Sequence, residues 1–190
     1  MIHHTQIISL SNQRGFCGIE FESTKGYLDI QELECCYFQL GVICRGSSSV
    51  KDSVIHHITE IAIWIDNTSN PISCEVVNCH LTHCREGLRC YSTILSVLLC
   101  HIDKLTIGIH IDHSLSIQIQ QSCIHECKGH AMIVKNTRFF QLLACSVYDC
   151  SSGCDFTKIQ TCYLIDNCFA FIKNKLFFFT SCFVSVLYRE

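Results

Sequence analysis

The sequence predicts an all-β solenoid in which about eight coils, each of roughly 20–23 residues, stack on one another. Three patterns support this prediction. A cysteine recurs about every 22 residues, a turn residue precedes an apolar-x-apolar triplet, and another apolar-x-apolar pair precedes each cysteine. A period of this length with alternating apolar positions is typical of stacked-coil proteins.

The recurring cysteine brings the same apolar neighbours in each coil. The residues assigned to this position are Cys35, Cys79, Cys100, Cys145, Cys162 and Cys182, with Ser122 in place of cysteine between Cys100 and Cys145. An apolar or aromatic residue stands two positions after each, as Leu81 does after Cys79. Since residues i and i+2 of a strand face the same side, we expect the thiols to stack inside the solenoid as small apolar groups.

The second pattern begins with a glycine in five places. These glycines are Gly18, Gly41, Gly87, Gly108 and Gly153. Glycine here predicts a tight corner with positive φ, and the triplet after it predicts a short strand with one buried face.

The third pattern adds one more strand to each coil. Leu95-x-Val97 and Ile117-x-Ile119 precede the cysteine position in their coils. Three short strands joined by turns, with no helix of useful length, predict a single-stranded right-handed parallel β-helix. Each strand would pair with its copy in the next coil, about 4.8 Å away.

The composition predicts one folded domain, residues 1–190, with a piece of a longer solenoid as the open alternative. Hydrophobic residues make up 48% of the chain and charged residues 16%, which argues against disorder. The formal net charge is −3 and no basic stripe appears, so nucleic-acid binding is not expected. The apolar run from Leu176 to Tyr188 is shorter than the roughly 20 residues that span a bilayer, so no membrane partner is expected.

The cysteine content predicts a compartment. The 17 cysteines are an odd number, they fall in apolar positions, and the first residues do not resemble a secretory signal. We therefore expect free thiols in a reducing compartment, either the cytosol or the nucleus. A disulfide between coils is the alternative for an oxidising setting.

Two outward-facing stacks collect side chains that bind metals. If Cys79 points inward, the outward stacks read His80, His101, Cys123 and Ser146, and, two residues further on, Thr82, Asp103, His125 and Tyr148. The candidate zinc ligands are therefore His80, His101, Cys123 and His125, with Asp103 beside them. The alternatives are a solvated polar face, with no cofactor bound, and a nucleophilic Cys123 next to a histidine.

Protein partners, including other copies of the chain, are expected at the ends and on one lateral loop. Strand-like residues reach both ends, so the strand edges at Ile7 and Ile8 and at Phe177, Phe178 and Phe179 are predicted assembly contacts. A homo-oligomer is predicted. The polar loop 64–73, with Trp64 at its base, is the predicted lateral partner site.

Carboxylates define the alternative function. Polysaccharide hydrolases need two or three acids near a cleft. Asp66, and Asp112 with His113, are the candidates, but no outward face shows a clear stack of charged and aromatic residues. A carbohydrate-active hydrolase or lyase is therefore the alternative to a non-enzymatic scaffold.

The chain from about residue 16 resembles the right-handed parallel β-helix, or pectate-lyase-like, proteins. The stretches 76–88 and 144–154 share the style Cys-x-apolar-x-x-Cys-x-x-Gly-apolar, which resembles the cysteine-rich coils of the adenoviral large early transforming protein and its atadenovirus capsid relatives. The resemblance implies a non-enzymatic scaffold, such as a host-protein binder that helps to recruit ubiquitin ligases or a trimeric knob on the virion. The catalytic motifs of polygalacturonases and the calcium-binding acids of pectate lyases have no matching positions.

Overall fold

The structure, a computed structural model, describes residues 2–8, 15–66 and 72–187. All regular secondary structure in these ranges is β-strand. No helix among these residues is long and apolar enough to cross a membrane. The all-β prediction is confirmed.

The strands follow one another through short corners. In chain order they are β1 (Ile2–Ile8), β2 (Gly15–Cys36), β3 (Phe38–Lys51), β4 (Val54–His56), β5 (Ile61–Asp66), β6 (Ile72–Val77), β7 (His80–Thr82), β8 (Glu86–Tyr91), β9 (Thr93–Leu98), β10 (His101–Asp103), β11 (Ile107–Asp112), β12 (Ser116–Gln120), β13 (Cys123–His125), β14 (His130–Lys135), β15 (Phe139–Leu143), β16 (Ser146–Tyr148), β17 (Ser152–Thr157), β18 (Thr161–Ile165), β19 (Cys168–Ala170), β20 (Phe177–Thr180) and β21 (Val184–Leu187).

The strands stack into three parallel faces. Face 1 contains β4, β7, β10, β13, β16 and β19; face 2 contains β5, β8, β11, β14, β17 and β20; face 3 contains β6, β9, β12, β15, β18 and β21. The long strands β2 and β3 continue these faces through the corners of the first coils. Every pair is parallel and joins a strand to its copy one coil away, as predicted.

The number of turns follows from one inward ladder on face 3. It runs through Ile30, Val50, Val76, Val97, Ile119, Leu142, Leu164 and Val186, which makes about seven turns. Strand β1 adds a partial turn beneath, where Ile2 pairs with Ile30. The tube between the faces is filled by one continuous apolar cluster that includes the contacting rings of Phe140 and Phe156, with centroids 5.1 Å apart.

The corners are not formed by glycine, which corrects the prediction. Nineteen described residues have positive φ and none of them is glycine; eight are Asn, Asp or His, the types that tolerate this region best. The repeated glycines lie instead in a ladder of small residues on face 2. A Cβ at Gly87 would stand 2.7 Å from the carbonyl oxygen of Gly108 in the next coil. Close approach of neighbouring coils, rather than positive φ, therefore requires glycine there.

The cysteine position is confirmed in part. The residues before β7, β10, β13 and β16 are Cys79, Cys100, Ser122 and Cys145, so these four stand one above the next between faces 3 and 1. Ser53 extends this corner ladder below and Asn167 above. The other three assigned cysteines lie elsewhere: Cys35 pairs with Ile55 on face 1, Cys162 pairs with Phe140 on face 3, and Cys182 follows the positive-φ residue Ser181.

All seventeen cysteines are free thiols, and thirteen of them are buried. Burial raises the pKa of Cys35 to about 12 and that of Cys145 to about 11, so these groups stay protonated at neutral pH. The reducing compartment remains a prediction.

Candidate functional site

The outward side chains of face 1 form a histidine cluster, which we define as His80, His101, Asp103, Cys123 and His125. Residues His80, His101 and Cys123 are register partners in three successive coils. Thr82, Asp103 and His125 form the parallel ladder two residues further on. The alternation of the three-residue strands therefore places the predicted ligand candidates side by side.

Two imidazoles meet at the centre of the cluster. His101 Nε2 lies 2.8 Å from His125 Nε2, and the two rings cross at 80°. Two nitrogens at this distance need a hydrogen on one and a lone pair on the other. The ligand atoms of His101, Cys123 and His125 all lie within 4.8 Å of one another.

A buried carboxylate completes the cluster. Asp103 has only 4% of its side chain exposed, and its Oδ1 lies 2.7 Å from His80 Nε2. Burial alone would raise the pKa of Asp103, but the hydrogen bonds from His80 and Thr82 outweigh it and lower this pKa. Asp103 therefore carries a negative charge beneath the histidines.

The electrostatics of the cluster keep one ring uncharged. Burial lowers the pKa of His101, and the neighbouring His125 and His80 lower it further because like charges repel. A neutral imidazole keeps a lone pair, which is the form that binds metal ions.

The surroundings of the cluster hold its side chains in place. The ring of His125 stacks on Tyr148 with centroids 4.7 Å apart and planes 5° apart. The thiol of Cys123 lies 3.6 Å from the Tyr148 hydroxyl. His125 Nδ1 lies 3.2 Å from a carboxylate oxygen of Glu126.

Face 2 carries a lateral groove that the sequence did not reveal. Trp64, Arg89 and His110 are register partners in successive coils, and so are Asp66, Tyr91 and Asp112. Together these six residues, with Cys90, line a groove of about 290 Å³. Trp64 and Asp66 belong to strand β5, not to a loop, which corrects that prediction; residues 67–71 of the predicted loop lie outside the described residues.

The charged side chains in the lateral groove differ in whether an opposite charge lies beside them. Arg89 donates hydrogen bonds to both carboxylate oxygens of Glu86, a residue only 2% exposed, so its charge is matched. Asp112 accepts a hydrogen bond from Asn136 at 2.8 Å and lies 2.8 Å from His113 Nδ1. The contact of Asp112 with His113 agrees with their adjacency in the sequence. The pairing of Trp64 with Arg89 and of Asp66 with Tyr91 was not predicted, because each pair joins residues of different coils.

The predicted end contacts lie on strands with a single described neighbour. Strands β19, β20 and β21 pair only with β16, β17 and β18 in the described part of the chain. On β20, Phe177 is partly buried against the core, while Phe178 and Phe179 are exposed. At the other end, Ile7 packs on the core, and Ile8 pairs with Cys36 through its backbone.

Comparisons with known proteins agree with this architecture. Residues 40–186 match the model of the right-handed β-helix region. No curated protein matches the sequence significantly.

Two solved structures are similar in fold. One is full-length tailspike protein 2 from an Escherichia coli O157:H7 bacteriophage, with 14% identity and a TM-score of 0.74 over 90% of this chain and 28% of that one. The other is the enzymatically active domain of bacteriophage CBA120 tailspike protein 2, with 13% identity and a TM-score of 0.74 over 94% of this chain and 34% of that one. The chain thus spans about a third or less of these tailspike chains.

Proposed function

Because this chain belongs to the right-handed β-helix family, we propose that it is a non-enzymatic interaction scaffold that holds a protein partner in the lateral groove of face 2. A viral role, on a capsid surface or in binding a host protein, is the setting that we propose for it. The observation that carries this proposal is the pairing of Trp64 and Tyr91 with Asp66 and Asp112 in one groove.

The chemistry of the groove selects the partner. The Arg89 charge is matched by Glu86, so Asp66 and Asp112 are the unbalanced charges among the side chains that line the groove. Beyond its edges, Lys135 is the register partner of Asp112 and Arg45 acts on Asp66. The faces of Trp64 and Tyr91 are favourable sites for a guanidinium or ammonium group. A protein segment rich in arginine fits both features.

Trp64 allows a direct test, because it is the only tryptophan of the chain. Titration with a tetra-arginine peptide is expected to change the Trp64 fluorescence and to saturate. Asp66→Asn and Asp112→Asn should each weaken binding by about fivefold or less, since exposed charge pairs contribute up to about 1 kcal/mol. Asp149→Asn, outside the groove, is the control. Absence of saturable binding, or equal affinity in all three variants, contradicts the proposal.

A carbohydrate-active enzyme is the second candidate for the same groove. Asp66 and Asp112 occupy the same ladder two coils apart, which separates their Cα atoms by about 9.6 Å. The ladder places both side chains on the same face, so two such carboxyl groups can reach the roughly 6.5–9.5 Å separation of inverting glycosidases, which leaves room for a water molecule. The similar tailspike domain is described as enzymatically active.

The enzyme candidate predicts a different experimental result. Incubation with acidic and neutral polysaccharides would release reducing ends, and both Asp66→Asn and Asp112→Asn would abolish that release. Activity that disappears in both variants would replace the scaffold proposal, whereas arginine-peptide binding without turnover supports it.

A further inference from the structure

We propose that the histidine cluster on face 1 is a zinc site in which His101, Cys123 and His125 bind one Zn²⁺ ion. The three side chains come from two neighbouring coils, and their ligand atoms all lie within 4.8 Å of one another. Two imidazole nitrogens and one thiolate form a ligand set that suits zinc and is poorly suited to magnesium or calcium.

The approach of His101 Nε2 to His125 Nε2 is the first argument for a cation. Both nitrogens point into the same small space, at 2.8 Å from each other. Tetrahedral ligands at the usual zinc distances of about 2.0–2.3 Å stand roughly 3.2–3.8 Å apart, so a small separation of the two rings would admit the ion. The Cys123 thiol would lose its proton to solvent when the ion binds.

Charge around the cluster is the second argument. The buried carboxylate of Asp103 lies on the ladder that also carries His125. It contacts His80 at 2.7 Å and the Lys104 ammonium at 3.4 Å, so part of its charge is matched. Glu126 places a carboxylate oxygen 3.2 Å from His125 Nδ1. This contact lacks hydrogen-bond geometry, because His125 Nδ1 has no hydrogen-bond partner among the described residues, so Glu126 contributes negative charge beside the ring.

Rigidity of the support is the third argument. Each ligand stands on a three-residue strand whose central side chain, Ile102 or Ile124, is fully buried in the core. His125 is stacked on Tyr148. The ligands are therefore held by the fold before the ion arrives, which reduces the ordering cost of binding.

The face supplies a matched control. Cys168 occupies the same outward ladder position as Cys123, two coils further on, next to Ser146 and without histidines as register partners. Its thiol is exposed, so Cys168 would also bind an ion if exposure of a thiol were sufficient for binding. Cys168→Ser should leave zinc binding unchanged.

The test is titration of purified, metal-free protein with Zn²⁺ by calorimetry, and with Co²⁺ by absorption spectroscopy, with circular dichroism to confirm the fold of each variant. We expect one ion per chain and a thiolate-to-cobalt charge-transfer band. Cys123→Ser should remove that band, and both Cys123→Ser and His125→Ala should lower zinc affinity at least about tenfold.

Three results would overturn the proposal. These are no stoichiometric binding, equal affinity in Cys123→Ser and the Cys168→Ser control, or loss of binding in Asp103→Asn and His80→Ala but not in Cys123→Ser. The last result would place the ion in the neighbouring group of His80, His101 and Asp103, whose ligand atoms also lie within 4.8 Å of one another.

Discussion

The Oγ atom of Ser122 accepts a hydrogen bond from the backbone N–H of Cys100, 3.1 Å away in the preceding coil. Asn167 makes the same contact to Cys145 at 2.9 Å, and Ser53 to Leu33 at 3.1 Å. Each acceptor follows a positive-φ residue at the corner between faces 3 and 1. The bend leaves backbone groups without strand partners, and the inward side chain satisfies them.

Ser122→Ala is expected to destabilise the fold by about 1–3 kcal/mol, because it leaves the buried Cys100 N–H without an acceptor. Chemical denaturation measures this change. Ser122→Cys should cost less, since a corner cysteine can accept such a bond, as Cys182 Sγ accepts one from the Ile159 N–H at 3.5 Å. Equal losses in the two variants would contradict this account.

The geometry of these corners also explains why the sequence predicted the architecture correctly but the alignment of the cysteines only in part. Alternating apolar residues determine which side chains enter the tube, and this pattern is visible in the sequence. A small inward residue after a positive-φ residue occurs at all three corners of a coil, however, and Cys84, Cys145 and Cys182 fill three different ones. Spacing alone could not separate these corners, so Cys182 was assigned to the wrong ladder.

The histidine cluster and the lateral groove also differ in how well the sequence predicts them. The outward neighbours of Cys79, Cys100 and Ser122 followed from a short, regular stretch, so the stacking of His80 on His101 was predictable. The lateral groove depends on the pairing of Trp64 with Arg89 across the irregular coil that contains residues 67–71. An insertion in the coil changes the spacing of its outward residues. The sequence therefore does not show which residues on the two sides of the insertion are register partners.

Gly108→Ala should destabilise the protein by about 1–3 kcal/mol through overpacking. A Cβ at this position would stand 2.5 Å from the carbonyl oxygen of Ala131 and 2.8 Å from Ile124 Cγ2. The added methyl must therefore separate two coils. Thermal unfolding gives the loss. Gly26→Ala is the comparison, because its added methyl would displace only the Ser23 hydroxyl, which accepts a hydrogen bond from the Gly26 N–H, and not the backbone of a neighbouring coil. Equal stability of the two variants would show that the coils separate without cost.

Stability should fall in acid through Glu86. Burial would raise its pKa, but the His110 ring at 3.7 Å and two hydrogen bonds from Arg89 outweigh this and leave the pKa below its ordinary value. A carboxylate with a lower pKa in the folded state adds stability that is complete above the unfolded pKa and is lost as pH falls through the folded pKa. Urea unfolding between about pH 6 and pH 3 should show this loss, and Glu86→Gln should reduce its slope. An unchanged slope would exclude Glu86 as the source.

Thiol reactivity should follow exposure. Iodoacetamide added to the native protein is expected to modify the exposed Cys168 first and the partly exposed Cys17, Cys123 and Cys182 more slowly, while the thirteen buried thiols resist. Burial raises the pKa of Cys84 and of Cys162 to about 12, so few thiolates are available there. Intact-mass spectrometry counts the adducts, and denaturant should release all seventeen sites. Rapid native labelling of Cys84 would contradict the described core.

Self-association should depend on the last described coil. Phe183 is 81% exposed, and Phe179 contributes to an apolar recess of about 80 Å³ that also includes Phe177 and Val186. A second copy is a suitable occupant, because residues 20–34 carry five carboxylates and one lysine, whereas residues 156–187 carry three lysines and one aspartate. Opposite charges would then meet where one copy continues the parallel strands of another.

Size-exclusion chromatography with light scattering tests this arrangement. The wild-type chain is expected to associate, and Phe179→Asp and Phe183→Asp should each shift it towards the monomer by placing a charge in the apolar contact. Leu99→Asp changes an exposed apolar side chain at a lateral corner and should leave the assembly intact. High salt should weaken association as well, because it screens the charges of the two ends. A wild-type monomer at all concentrations, or an equal effect of Leu99→Asp, would remove this coil as the assembly contact.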